Sequence, residues 1–268
     1  MKTFLPLMLA AVSLVAQTSP QTASQTPSKG KQIIDQTVQA LGGDAFLQMK
    51  TRVSGGRIYT FFHDRTSGSD IARIYTAYDS ELPAKGLGLR EREVLGKKQD
   101  YSYLYLADQA FDVTYRGARP IPDEDWDRYE RTTTNDVLYL LRFRRNEPGM
   151  QFDYVGSEVY LSMHVEVVDI SDQAGRVVRV YIDHNTMLPV RATFNWLDPT
   201  TKQRFDEETN FSKWRNAGNG VMWPFTTERQ RNGYKVFQIF ADKVEINQEL
   251  PAGIFDLPAG AKVLKKVN

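Results

Sequence analysis

The chain has 268 residues, 41% of them hydrophobic, so it can bury the core of one large β domain or of two small ones. Its 34 basic and 33 acidic residues leave a net charge of +1, which gives no electrostatic reason to expect a nucleic acid partner. The sequence contains no cysteine, which excludes disulfides, thiol nucleophiles and a lipid anchor attached to cysteine.

The first 28 residues predict an export signal followed by a flexible leader. An apolar run over 4–15 is typical of a secretory signal peptide, and it is shorter than the roughly 18 apolar residues that a membrane span needs. We expect residues 1–16 to be removed by cleavage near Ala16. Residues 17–28 are rich in Gln, Ser, Thr and Pro, a composition that favours disorder. These features predict a periplasmic protein without a lipid anchor.

The next segment predicts a short helical region. Ser28 is a suitable N-cap for a helix over KGKQIIDQTVQAL, which would end at Gly42 and Gly43. A second helical turn is expected in DAFLQM, directly after these glycines.

From about Arg52 the hydrophobic pattern has period two, which predicts strands. The first five predicted strands are 57–63, 70–78, 89–95, 100–107 and 110–116. A helical insertion is then predicted over 120–146, because acidic residues cluster at its start and arginines at its end, as the helix dipole favours. Thr132 to Thr134 weaken its centre, which leaves one helix or two open.

Strands resume after the insertion. The predicted ranges are 151–156, 158–170, a hairpin within 175–196, and then 203–214, 221–230 and 234–246. In 158–170 apolar and polar residues alternate, which predicts one amphipathic strand. Asn232 and Gly233 are a strong hairpin signal between the last two strands.

The hairpin within 175–196 shows how apolar one face of these strands is. Its apolar positions are Val178, Val180, Ile182, Leu188, Val190, Ala192, Phe194 and Trp196. About ten such strands accompany only two helical segments, so a flat sheet would expose a large apolar surface. The sheet is therefore expected either to close as a sandwich with a dry core or to curve around helices and keep a hydrophobic cavity. We expect one domain over 29–268.

Several short strings resemble the periplasmic outer-membrane lipoprotein-sorting family, the LolA-like and LolB-like proteins. They are the helix end ALGG at 40–43, GRVVRVYIDHNTMLPVRATF at 175–194, NGVMWPF at 219–225 and AGIFDLPAG at 252–260. The resemblance implies an α+β fold, in which a curved antiparallel sheet forms an incomplete barrel with a helical lid over a cavity for acyl chains.

The resemblance also implies a set of ligand-binding residues in the lid and the cavity. They are Val137, Leu140 and Leu141 in the lid, and Val180, Ile182, Val190, Phe194 and Trp196 in the cavity. Ordinary core packing is the alternative for each of them. The segment ELPAKGLGLRER lacks the strand start of true lipoprotein carriers, and the cysteine of the membrane-anchored type is absent, so the fold carries over more safely than the cargo.

No catalytic or metal-binding motif is found. The three histidines are scattered, and the acidic residues that begin 123–134 lack the glycine and glutamate of a calcium loop, since Arg128 and Thr134 stand there. Neither a G-x-S-x-G elbow nor a P-loop is present. The sequence thus predicts no catalytic residues, no metal and no cofactor.

The predicted function is that of a monomeric, non-enzymatic periplasmic carrier or binding protein for a lipid or a lipoprotein acyl chain. Its partners would be this cargo and transport proteins of the inner or outer membrane. The alternative is an envelope sensor or scaffold that binds another protein through the same sheet, as β-augmentation permits.

Overall fold

The computed structural model describes residues 27–83 and 85–266, so the predicted signal peptide and nearly all of the predicted leader lie outside the described residues. Helix α1, Lys29–Ala40, begins where predicted, and the Ser28 side chain accepts a hydrogen bond from the backbone N–H of Lys31 at 3.2 Å. Helix α2, Asp44–Leu47, follows it after a glycine turn.

Thirteen strands form one antiparallel sheet within the described residues. They are β1 Thr51–Phe62, β2 Arg65–Tyr78, β3 Leu89–Leu95, β4 Tyr101–Tyr105, β5 Ala110–Thr114, β6 Gly117–Pro120, β7 Gln151–Tyr160, β8 Met163–Ser171, β9 Val177–Asp183, β10 Pro189–Leu197, β11 Arg204–Asn216, β12 Met222–Arg231 and β13 Tyr234–Ile246. Their order across the sheet is β6-β5-β4-β3-β2-β1-β13-β12-β11-β10-β9-β8-β7. The sheet curves without closing, because β6 and β7 form its two edges.

The helical insertion connects the two edge strands and lies over the concave face. It consists of α3, Asp123–Thr134, then α4, Val137–Tyr139, which continues as a π-helix over Leu140–Arg144. Helix α3 ends at Thr134 and a new helix begins at Val137, because the Asp136 carboxylate caps α4. This carboxylate accepts a hydrogen bond from the backbone N–H of Leu138 at 2.9 Å. The sequence had left one helix or two open, and the structure shows two: α3, and α4 with its π-helical continuation.

The main core fills one half of the concave face. There α1, α2, α4 and the π-helix pack against β7 to β13. Gly30 brings α1 close to β7, since a Cβ atom at this position would lie 2.4 Å from the carbonyl oxygen of Phe152. The convex face of β4 to β6 is covered by Phe255 and Leu257 of the C-terminal segment. This segment then forms a parallel bridge from Val263 to Ala118.

The predicted curved antiparallel sheet with covering helices is confirmed, but one predicted strand is wrong. Residues 158–170 are not one strand, because Leu161 and Ser162 adopt positive φ angles of 46° and 66° and turn the chain between β7 and β8. This turn has no Gly, Pro or Asn to reveal it. As a result Val159 and Leu161 are exposed, whereas Val165 is buried in the sheet. Strand β6 was not predicted.

Candidate ligand-binding cavity

The other half of the concave face encloses a cavity of about 620 Å³, between α3 and α4 on one side and strands β1 to β4 and β11 to β13 on the other. This volume lies within the range of roughly 300–1,000 Å³ that is usual for small-molecule sites. Of the two architectures that the sequence had left as alternatives, the structure has the sheet curved around helices and not the closed sandwich.

Helix α3 forms the cover of this cavity. The residues that it contributes are spaced as one helical face: Asp125, Arg128, Tyr129, Thr132 and Thr133. None of the residues of α3 is buried, in contrast to α4 and the π-helix, which belong to the core.

Helix α3 is held by aromatic contacts, and its Trp126 and Tyr129 pack on a small buried cluster that includes Leu89. The Tyr129 ring stacks on Tyr105 with 3.8 Å between ring centroids, and the Arg131 guanidinium lies 3.6 Å from the Trp196 ring centroid. Because these contacts lie at the margin of the core, α3 is the element of the insertion best placed to move.

Apolar and aromatic side chains form much of the wall. The aliphatic and methionine members are Met49, Ile74, Leu89, Ile121, Leu138, Val236 and Ile239, and the aromatic members are Tyr78, Tyr103, Tyr105, Tyr129, Tyr139, Phe211, Trp223 and Phe237. Such a wall stabilises an apolar ligand mainly by removing its surface from water.

The wall also carries ion pairs. The Arg52 guanidinium lies 3.0 Å from the Glu91 carboxylate and donates a hydrogen bond of 2.7 Å to the hydroxyl of Thr76. Arg231 pairs with Glu207 at 2.7 Å on the opposite side of the cavity. These pairs are half-buried and hydrogen-bonded, so their charges are largely compensated within the wall.

Two further acids in the wall are held in a poorly solvated environment. The pKa of Glu93 is raised to about 8, mainly by burial and also by the neighbouring Glu91, against the lowering effect of Arg229 and Arg52. Burial also raises the pKa of Asp136, against the lowering effect of Arg229 and of the backbone N–H groups of α4. The cavity is therefore less negative near neutral pH than its acidic residues suggest.

The residues predicted as lid and cavity lie elsewhere. Val137, Leu140, Leu141, Val180 and Ile182 are buried together in the main core. They meet because α4 and the π-helix pack on β8 to β10, and none of them lines the cavity of about 620 Å³. Their contact with a ligand stays a prediction, and the structure gives each of them a packing role.

The other three predicted residues, all on β10, are separated from one another. Phe194 packs at the edge of the main core, and Trp196 stacks on Phe205 at 4.6 Å between ring centroids. Val190 lies on the opposite face of the sheet with Tyr181, because a bulge between Pro189 and Arg191 shifts the register. Like the first five, these three residues do not line the cavity.

Sequence reasoning missed the residues that do line it. Glu91 and Glu93 alternate with Arg90 and Arg92 along β3, a pattern that favours a solvated surface. The structure turns the glutamates toward the cavity. A signal was present in YSYLY, where Tyr103 is one of three tyrosines on a single face of β4, but nothing local indicated which element covers that face.

Over the described ranges, no three histidine or acidic side chains converge as metal ligands would. The helices of the same ranges are too short or too polar to cross a bilayer.

Comparisons with known proteins support the fold. No protein-family model matches the sequence, and no curated protein matches it significantly. Among solved structures, a DUF1329 family protein from Desulfovibrio piger aligns with a TM-score of 0.58 at 11% identity, covering 88% of this chain and 100% of that one. A domain named for outer-membrane lipoprotein sorting, from Vibrio parahaemolyticus, gives a TM-score of 0.54 at 10% identity, with 85% and 97% covered.

A LolA superfamily protein from Nitrosomonas europaea is similar as well. Its TM-score is 0.50 at 12% identity, and the alignment covers 85% of this chain and 98% of that chain. The resemblance to LolA-like proteins is therefore confirmed at the level of the fold. Identities this low establish the fold alone and leave the ligand to be argued from the cavity.

Proposed function

We propose that this chain, which has a LolA-like fold, is a non-enzymatic periplasmic carrier or binding protein for a lipid or a lipoprotein acyl chain. The observation that carries this proposal is the cavity of about 620 Å³, walled by aliphatic and aromatic side chains and covered by α3. An acyl chain is retained there at about 0.8 kcal/mol for each methylene group removed from water.

Release requires the cover to open. Helix α3 is attached by the Tyr105–Tyr129 stack, by the Arg131–Trp196 contact and by packing of Trp126 on a small cluster with Leu87 and Leu89. It contributes no residue to the main core, so its opening leaves that core intact. In the proposed cycle, α3 opens at a donor, closes over the acyl chain and opens again at an acceptor.

The test fills the cavity without touching the core. Thr227→Trp places an indole ring in the cavity wall, and Val155→Trp places the same ring on an exposed position of β7. Both variants and the native protein are purified without detergent from the periplasm of the original host and examined by native mass spectrometry with lipid extraction.

We expect a stoichiometric lipid or acylated peptide on the native protein and on V155W, and its loss from T227W. Equal retention by all three proteins would place the ligand outside this cavity. A native protein without lipid that also fails to bind added palmitate would contradict the carrier function.

A scaffold that binds another protein is the second candidate, and edge strand β7 favours it. In the described part of the chain β7 pairs only with β8, and it exposes Val155 and Val159, with Leu161 in the following turn. A partner strand could add at this edge. This candidate predicts a protein complex that survives purification and that T227W leaves intact.

A further inference from the structure

Arg229 differs from the other arginines of the cavity. Arg52 and Arg231 are paired with glutamates, Arg128 with Asp125, and Arg142 donates hydrogen bonds to backbone carbonyls of the α2 region, including that of Phe46 at 2.7 Å. Arg229 has no hydrogen-bond or ion-pair partner among the residues that the structure describes, and its Nε atom is completely buried.

An unpaired guanidinium in such a place is unfavourable. Taking a charge out of water costs several kcal/mol unless a counter-charge and hydrogen bonds replace the lost hydration. The nearest aromatic partner is the Phe237 ring, whose centroid lies 5.8 Å from the guanidinium carbon. Glu93 and Asp136 are near enough for Arg229 to lower the pKa of both carboxyls, but neither forms an ion pair or a hydrogen bond with its guanidinium.

The chemistry of Arg229 defines what would complete the site. A guanidinium offers a planar set of N–H donors that matches the two oxygens of a carboxylate or a phosphate. The other arginines of the wall already have partners, and the apolar part of the wall, with Ile74, Leu138 and Ile239, suits an alkyl chain. A ligand that satisfies both parts is an amphiphile with an anionic end.

We propose that Arg229 binds the anionic headgroup of an acyl-chain amphiphile, with the acyl chain lying along the apolar wall of the cavity. This inference rests on the proposed carrier function and specifies the chemical class of its cargo. The headgroup enters the cavity and the charge is matched there, instead of remaining in solvent at the rim.

The test compares two probes with the same chain, palmitate and methyl palmitate, by isothermal titration calorimetry on delipidated protein. The variants are Arg229→Met and, as a matched control outside the cavity, Arg73→Met at an exposed position of β2. Inorganic phosphate alone is titrated in parallel as a free anion.

We expect the native protein to bind palmitate roughly 10- to 100-fold more tightly than methyl palmitate, the range for a hydrogen bond to a charged group. R229M should lose this preference and still bind methyl palmitate, which also shows that it is folded. R73M should keep the preference.

Three results would overturn the inference. Equal binding of both probes by the native protein would show that Arg229 does not bind the headgroup, and it would not contradict the carrier function. Phosphate binding that depends on Arg229, without preference for palmitate over its ester, would make this a free-anion site. Binding of neither probe would contradict the carrier function as well.

Discussion

The Glu93 carboxyl should make the stability of this protein fall as pH rises. Its pKa is raised from 4.5 to about 8 in the folded chain, so between these values the folded state holds a proton that the unfolded state has released. The favourable contribution is complete below pH 4.5 and is lost as pH rises through 8. Glu93→Gln removes this titration while keeping the size of the side chain.

The magnitude follows from the size of the shift. At 1.36 kcal/mol per pKa unit, the full shift corresponds to at most roughly 5 kcal/mol. Glu93 is only half-buried and faces a cavity that water can enter, so screening reduces this figure. We therefore expect E93Q to be more stable than the native protein by roughly 1–3 kcal/mol at pH 9 and about equally stable at pH 5.

The assay is urea unfolding followed by tryptophan fluorescence at both pH values. Glu158→Gln, on an exposed position of β7, serves as the control and should show the same small difference at pH 5 and pH 9. If the stability difference between E93Q and the native protein does not change with pH, Glu93 is not held in its neutral form and the reasoning fails.

Two further predictions concern contacts outside the cavity, in the half of the sheet that holds the main core. Gly30→Ala should destabilise the protein by about 1–3 kcal/mol in urea, because its Cβ atom would collide with the Phe152 carbonyl. Gly55→Ala, which has open space around it, should change stability by less than about 1 kcal/mol, and equal effects would refute the close approach of α1 to β7. Asp172→Asn should cost roughly 2 kcal/mol at pH 7, because its arginine partners lower the pKa of Asp172 from 3.8 to about 2. This cost should be complete above pH 3.8 and be lost as pH falls through 2, and a cost as large at pH 2 as at pH 7 would argue against the ion pairs.

Local signals in the sequence determined most of the element boundaries. The alternation in 89–95 and 234–246 predicted β3 and β13 at their observed bounds, and Ser28 and the Asn232–Gly233 turn lie where their backbone preferences required. These features depend on neighbours in the chain, which a sequence displays directly. The tight turn at Leu161 was missed because its residues carry no such preference.

Only the tertiary structure decided what each face of the sheet touches. Alternation shows that a strand has two different faces. From the sequence, the apolar face is the one expected to line a ligand cavity. Here the most apolar face, that of β8 to β10, is covered by α1, α4 and the π-helix in the main core. The cavity lies instead over the more polar face of β2 to β4. Which strands a helix covers depends on contacts between residues far apart in the chain. The pairing of β1 with β13 and the position of Arg229 beneath α3 follow from that packing, and no local pattern encodes them.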